Sequence, residues 1–162
     1  MATLGISANA RMLALAVVKH DTLLDYRIHL FKERWSEAKA ARIISRLEAC
    51  IKAHSITSVA INIPHDHYST PTTATLLAAI EAHCEQAKLQ VSHYGPHALD
   101  CFCTPAKAKK KALRRAMTDR YPELYHIHDK ELRNKNKYYY KLFEAIAAAT
   151  LLALEDHLGG FE

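Results

Sequence analysis

Glycine is scarce in this chain, with four in 162 residues. Neither a G-x-x-x-x-G-K-[ST] run nor a G-x-G-x-x-G run is present. Loops that cradle phosphates with backbone N–H groups need such glycines, so nucleotide-binding loops of those types are excluded. Cysteine is as sparse, at Cys50, Cys84, Cys101 and Cys103. Cys101-Phe102-Cys103 is tighter than the C-x₂-C clip of zinc sites, and no H-E-x-x-H run occurs. The four read as reduced thiols, with Cys50 and Cys84 on apolar helix faces. No apolar stretch reaches the roughly 18 residues of a membrane span. The closest, 142–154, is bounded by Lys141 and Glu155. The N-terminus has no basic region ahead of an apolar one, so no signal peptide is expected and the expected location is the cytoplasm.

What is present is ordinary for a globular protein. Hydrophobic residues make up 49% and charged residues 24%, which predicts a single domain over 1–162 with a proper core. The first thirty residues set the pattern. Thr3-Leu4-Gly5-Ile6-Ser7 is a short apolar run, and Met12 to Val18 is a second. From Thr22 to Phe31 the residues alternate, with Leu24, Tyr26, Ile28 and Leu30 on one face and Asp25, Arg27 and His29 on the other. A period of two predicts a strand with one buried face. Short polar breaks between the runs predict antiparallel neighbours.

Helix and strand then alternate. Ser36 is the expected N-cap of a helix to about His54, with Ala40, Ile43, Ile44, Leu47 and Ile51 inward. Ser58 to Ile63 reads as a strand covered on both faces and stopped at Pro64. Thr70-Pro71 opens a helix to about Ala87, with Leu76, Leu77, Ile80, Cys84 and Ala87 inward. Leu89 to Tyr94 is a fifth strand. Thr104-Pro105 opens a basic helix over Ala106–Thr118 on a thin apolar stripe. Residues 123–137 are polar and poorly periodic. A last helix, about Tyr138–His157, is expected to bury Leu142, Phe143, Ile146, Ala147, Thr150, Leu151 and Leu154. The result is an α/β chain: three antiparallel N-terminal strands, then α-β-α-β-α, in a five-stranded mixed sheet with helices on both faces.

Charge is unevenly placed. Residues 104–141 hold 12 Lys and Arg against 4 Asp and Glu, whereas the rest hold 10 against 13. A basic segment on a faintly acidic body predicts a polyanionic partner. Lys107, Lys109, Lys110, Lys111, Arg114, Arg115, Arg133, Lys135 and Lys137 are the candidate nucleic-acid contacts. Lys107, Lys110, Lys111 and Arg114 fall on one helical face. Four phosphate contacts would give a log–log salt slope of about −3.6 on duplex DNA. Tyr138-Tyr139-Tyr140 beside these cations can stack bases or begin the core face of the last helix. His65-Asp66-His67, His93, His97 and His126-Ile127-His128-Asp129 invite a metal reading, but none follows an established ligand spacing, and no metal site is assigned.

The order of elements resembles the ribonuclease H-like fold, and within it the RuvC-type Holliday-junction resolvases. Thr3-Leu4-Gly5-Ile6-Ser7 sits where the family has L-G-I-D. Val59-Ala60-Ile61-Asn62 sits where a strand ends in Glu. Thr104 to Lys109 resembles the segment before the family's basic helix. Lys141-Leu142-Phe143-Glu144-Ala145-Ile146-Ala147 sits where the family has D-x-x-D-A-x-A. The resemblance implies a catalytic cluster at Ser7, Asn62, Lys141 and Glu144, whose family counterparts are carboxylates holding two Mg²⁺ ions for phosphodiester hydrolysis. It also implies a homodimer.

Only Glu144 keeps an acid. Lys141 puts a cation where a dication would sit, and like charges roughly 4 Å apart repel by about 4 kcal/mol per unit charge at an effective dielectric of 20. The expectation is a catalytically degenerate, nucleic-acid-binding protein with no cofactor, favouring DNA over RNA, with no membrane role. Two alternatives stand beside it. One is an active nuclease with a rearranged Mg²⁺ or Mn²⁺ site using Glu144 with Asp66 or nearby histidines. The other is a protein-interaction module that retains the fold.

Overall fold

The computed structural model describes residues 1–64, 70–95, 97–103, 109–133 and 139–159. Among these residues five strands form one mixed sheet in the order β3-β2-β1-β4-β5. They are β1 (Ala2–Ala8), β2 (Met12–Lys19), β3 (Thr22–Leu30), β4 (Ile56–Asn62) and β5 (Gln90–Tyr94). The first three pair antiparallel, whereas β4 runs parallel to β1 and β5 parallel to β4. Among the described residues five α-helices accompany them: α1 (Glu37–His54), α2 (Pro71–Gln86), α3 (Lys109–Arg120), α4 (Tyr125–Arg133) and α5 (Tyr140–Gly159). The expected sheet, with helices on both faces, is what the chain forms.

Local signals fix the helix starts. Ser36 accepts from the Lys39 amide, and Thr70 accepts from the Thr73 amide with Pro71 directly behind it. Ser55 ends α1 in the left-handed region at φ 50° and donates its N–H to the Ile51 carbonyl. A glycine is the usual choice there.

The two faces of the sheet differ in side-chain size, and that difference positions the site. Leu4, Ile6, Leu13, Leu15, Val17, Val59 and Ile61 point to one face, where they pack with Ile43 and Leu47 of α1 and Leu76, Ile80 and Cys84 of α2. The alternate residues Thr3, Gly5, Ser7, Ala14, Ala16, Ser58, Ala60 and Asn62 are small or short and face α5. The helix answers with Ala145, Ala148 and Ala149, all fully buried. Close approach is the consequence. A Cβ on Gly5 would stand 1.9 Å from the Ala145 carbonyl oxygen and 2.8 Å from the Ala149 nitrogen.

Several expectations fail for physical reasons. A β-bulge between Val17 and Val18 leaves Leu24 unpaired: Val18 opposes Leu23 and Val17 opposes Asp25. One extra residue reverses the alternation. Leu23 is buried, while Leu24 and, at the strand's end, Leu30 are exposed. Tyr26 and Ile28 remain on the α5 side as expected. Ala87 lies past the end of α2 and is exposed. Residues 121–133 are ordered rather than irregular, with a 3₁₀ turn at Pro122–Leu124 leading into α4. Leu124 and Ile127 are buried there against α3 and α5. α5 is buried almost all round from Leu142 to Thr150, not along one stripe, because α3 packs on the side away from the sheet. Leu151 and Leu154 are only half-buried. Among the described residues, no helix is long and apolar enough to cross a membrane.

Candidate functional site

Ile6 of β1 pairs with Ile61 of β4. One step further along both strands stand Ser7 and Asn62, fully buried or nearly so at 0% and 3% exposure. Both face α5 because the side-chain direction alternates. The tight seat of α5 on Gly5 then brings Glu144, in the first turns of that helix, over the two strand ends.

The four positions form one hydrogen-bonded cluster. Asn62 Nδ2 donates to Glu144 Oε2 at 2.8 Å and to Ser7 Oγ at 3.4 Å. Ser7 Oγ donates to Glu144 Oε1 at 3.4 Å. Lys141 Nζ lies 3.4 Å from the same Oε1, one helical turn away. Both carboxylate oxygens thus face donors from β1, β4 and α5 itself. Tyr140 adjoins the cluster, and its phenol is held far above its ordinary range. Burial is the main cause, followed by the charges of Glu144, Cys103 and Asp100.

The donor set does not suit a divalent metal. Mg²⁺ takes oxygen ligands in near-octahedral array, usually with one or two carboxylates. Here one carboxylate is met by an amide N–H, a hydroxyl and an ammonium, and the charge of that ammonium opposes a second cation beside it. Among the described residues, no group of three or more His, Cys, Asp or Glu side chains is arranged to hold a metal. His65, Asp66 and His67, which the rearranged-site alternative needs, lie outside the described residues. His93 meets Glu81 at 3.1 Å and His97 meets Asp100 at 3.3 Å. His126 and His128 sit on a helix rather than a strand, so they do not share a face. Cys84 is buried and its thiol is pushed up to about 11, with burial the main cause. Cys50 is half-buried and likewise pushed up to about 11.

The basic surface needs one correction. Lys111 and Arg115 are exposed on α3, as expected of phosphate contacts. Arg114 is not: it is only 4% exposed and donates from Nε to His128 Nδ1 at 3.2 Å. It lies between Leu113 and Met117, and α4 covers this side of α3. That helix was not foreseen, so neither was the burial. Lys109 and Lys110 start α3. Arg133 is exposed at the end of α4 and pairs with Asp129 at 3.0 Å. Lys107, Lys135, Lys137 and Tyr138 lie outside the described residues. Tyr139 and Tyr140 are half-buried against the α5 core.

Sheet order, the parallel β1–β4–β5 half and the helix placement together define a ribonuclease H-like fold. No family model matches the chain, and no curated protein matches it. Solved structures do. The chain is similar to Thermus thermophilus RuvC in complex with a Holliday junction substrate, with a TM-score of 0.75 and 16% identity, over 98% of this chain and 96% of that one. It is also similar to another Thermus thermophilus RuvC structure, with a TM-score of 0.73 and 18% identity, over 98% and 97%. The fold is that of RuvC along nearly the whole length of both.

Proposed function

We propose that this protein binds nucleic acid on a RuvC-like scaffold and does not cleave it through a metal-dependent site at Ser7, Asn62, Lys141 and Glu144. The observation that carries this reading is the ion pair between Lys141 and Glu144, with Ser7 and Asn62 also donating to the carboxylate. Two-metal hydrolysis needs several carboxylates to neutralise the ions that activate water and stabilise the leaving oxygen. This cluster supplies one, already engaged. Binding is supported by the cations of α3, with Lys111 and Arg115 exposed on the same side of the helix. DNA is favoured over RNA because the similar RuvC was solved on a Holliday junction.

The test is anisotropy with labelled four-way-junction, duplex and single-stranded DNA and with RNA, across a salt series. A parallel cleavage assay in Mg²⁺ and Mn²⁺ completes it. Salt-sensitive binding without cleavage is the expected result. Cleavage that co-purifies with the protein would overturn the inactive-site reading, and no binding to any of them at low salt would favour the interaction module.

A further inference from the structure

The cluster carries its own cation. Lys141 Nζ is 3.4 Å from Glu144, with the two side chains 20% and 13% exposed, so the pair borders solvent. Ser7 and Asn62 are uncharged, which makes the corner neutral. Without Lys141 it would be anionic. Tyr140, the residue before Lys141, has its phenol raised by burial first and then by the charges of Glu144, Cys103 and Asp100.

The corner also lies near the basic helix along the chain. Cys103 is close enough to Tyr140 to influence its phenol, and α3 begins six residues later at Lys109. Six residues reach at most about 20 Å. Duplex DNA carries one phosphate charge per ~1.7 Å of axis. A duplex held at Lys111, exposed in the first turn of α3, therefore spans that gap and carries phosphates to the strand ends where Glu144 sits.

We propose that Lys141 is a built-in counter-ion, cancelling Glu144 so that a phosphate backbone can lie over the ends of β1 and β4 without a divalent metal. This rests on the nucleic-acid reading above. An open carboxylate repels phosphate, and a bound dication is the usual remedy. Here the compensating charge is covalently part of α5, so it is present at any metal concentration.

The experiment is anisotropy of four-way-junction DNA in EDTA and in millimolar Mg²⁺, at matched ionic strength. Wild type should bind equally in both. Lys141→Met keeps the aliphatic stem but leaves Glu144 uncancelled. It should bind roughly three- to tenfold more weakly in EDTA, and Mg²⁺ should recover the loss. Lys141→Met with Glu144→Gln should recover it without Mg²⁺, and Lys141→Arg should match wild type. Thermal melts identify any variant that fails to fold. If Lys141→Met is one, Glu144→Gln alone decides, because it leaves the ammonium uncancelled and should tighten binding. Wild type that binds no nucleic acid overturns the nucleic-acid reading and this inference with it. Wild type that binds, with Lys141→Met binding equally well or the double variant staying as weak as the single, overturns the counter-ion alone.

Discussion

Asn62 Nδ2 lies 2.8 Å from Glu144 Oε2, joining residues 82 positions apart in the chain. The amide donates where a metal-binding acid would accept. Replacing Asn62 with Glu and Lys141 with Asp would put three carboxylates in a corner that now holds one. The double variant should be less stable than wild type, because like charges this close cannot all ionise without a counter-ion. Mg²⁺ should restore part of the loss, by about 2.7 kcal/mol when the ion is at a hundred times its dissociation constant. Thermal melts with and without Mg²⁺ check this, and wild type should show no such gain.

Gly5→Ala should be among the most damaging single changes in the sheet. The added methyl meets backbone, not a movable side chain. α5 would have to shift as a unit. Overpacking of this kind costs about 1–3 kcal/mol, occasionally more. Urea unfolding should show a lower midpoint with an unchanged slope.

Exposed and buried cations on α3 should separate binding from stability. Lys111→Glu with Arg115→Glu should leave the melt nearly unchanged and shorten the salt slope on duplex DNA by about 1.8, if each residue neutralises one phosphate. Arg114→Ala should lower the melting temperature, since it empties a buried position and removes the donor to His128. A large loss of stability from the Lys111 and Arg115 pair would contradict their exposure.

His128 and His29 both hold a proton less readily than free imidazole. For His128 the cause is burial first, then the charges of Arg114 and Arg115; for His29 it is burial, then Arg46 and Arg27. The unfolded chain therefore takes up protons near its ordinary pKa of about 6.5 that the folded chain refuses. The contribution is fully present above about pH 6.5 and is lost as pH falls below it. His128→Gln keeps an acceptor for Arg114 and removes one titration. Its melting temperature should fall less steeply than that of wild type between about pH 7 and pH 5.5. A slope unchanged from wild type would mean that His128 titrates no differently when folded.

Much of this architecture was legible because it rests on local signals. Ser36 and the Thr70-Pro71 pair mark helix starts through short-range hydrogen bonds and a fixed φ, and both hold. The convergence of Ser7, Asn62, Lys141 and Glu144 was implied by the resemblance to the RuvC-type resolvases, and hydrogen bonds and an ion pair join the four in the structure. What escaped was settled by distant packing. No glycine marks the bulge at Leu24. Leu124 and Ile127 are the weak apolar signal of α4 in a polar stretch, and Arg114 is buried where that helix packs on α3. The size asymmetry between the two faces of β1, β2 and β4 was present in the sequence as alternation within runs read as uniformly apolar. It is the signal that could have placed α5 directly on the sheet.

The late position of α5 in the chain has a consequence for synthesis. Every strand, and both helices of the opposite face, leave the ribosome before residues 140–159 do. Until then the face made by Gly5, Ala14, Ala16 and Ala60 has no cover. The nascent protein passes through a stage with a finished layer on one side and a bare sheet on the other. Such exposed apolar surface is where chaperones engage and where aggregation begins. A chain cut before Tyr140 should therefore accumulate as insoluble material.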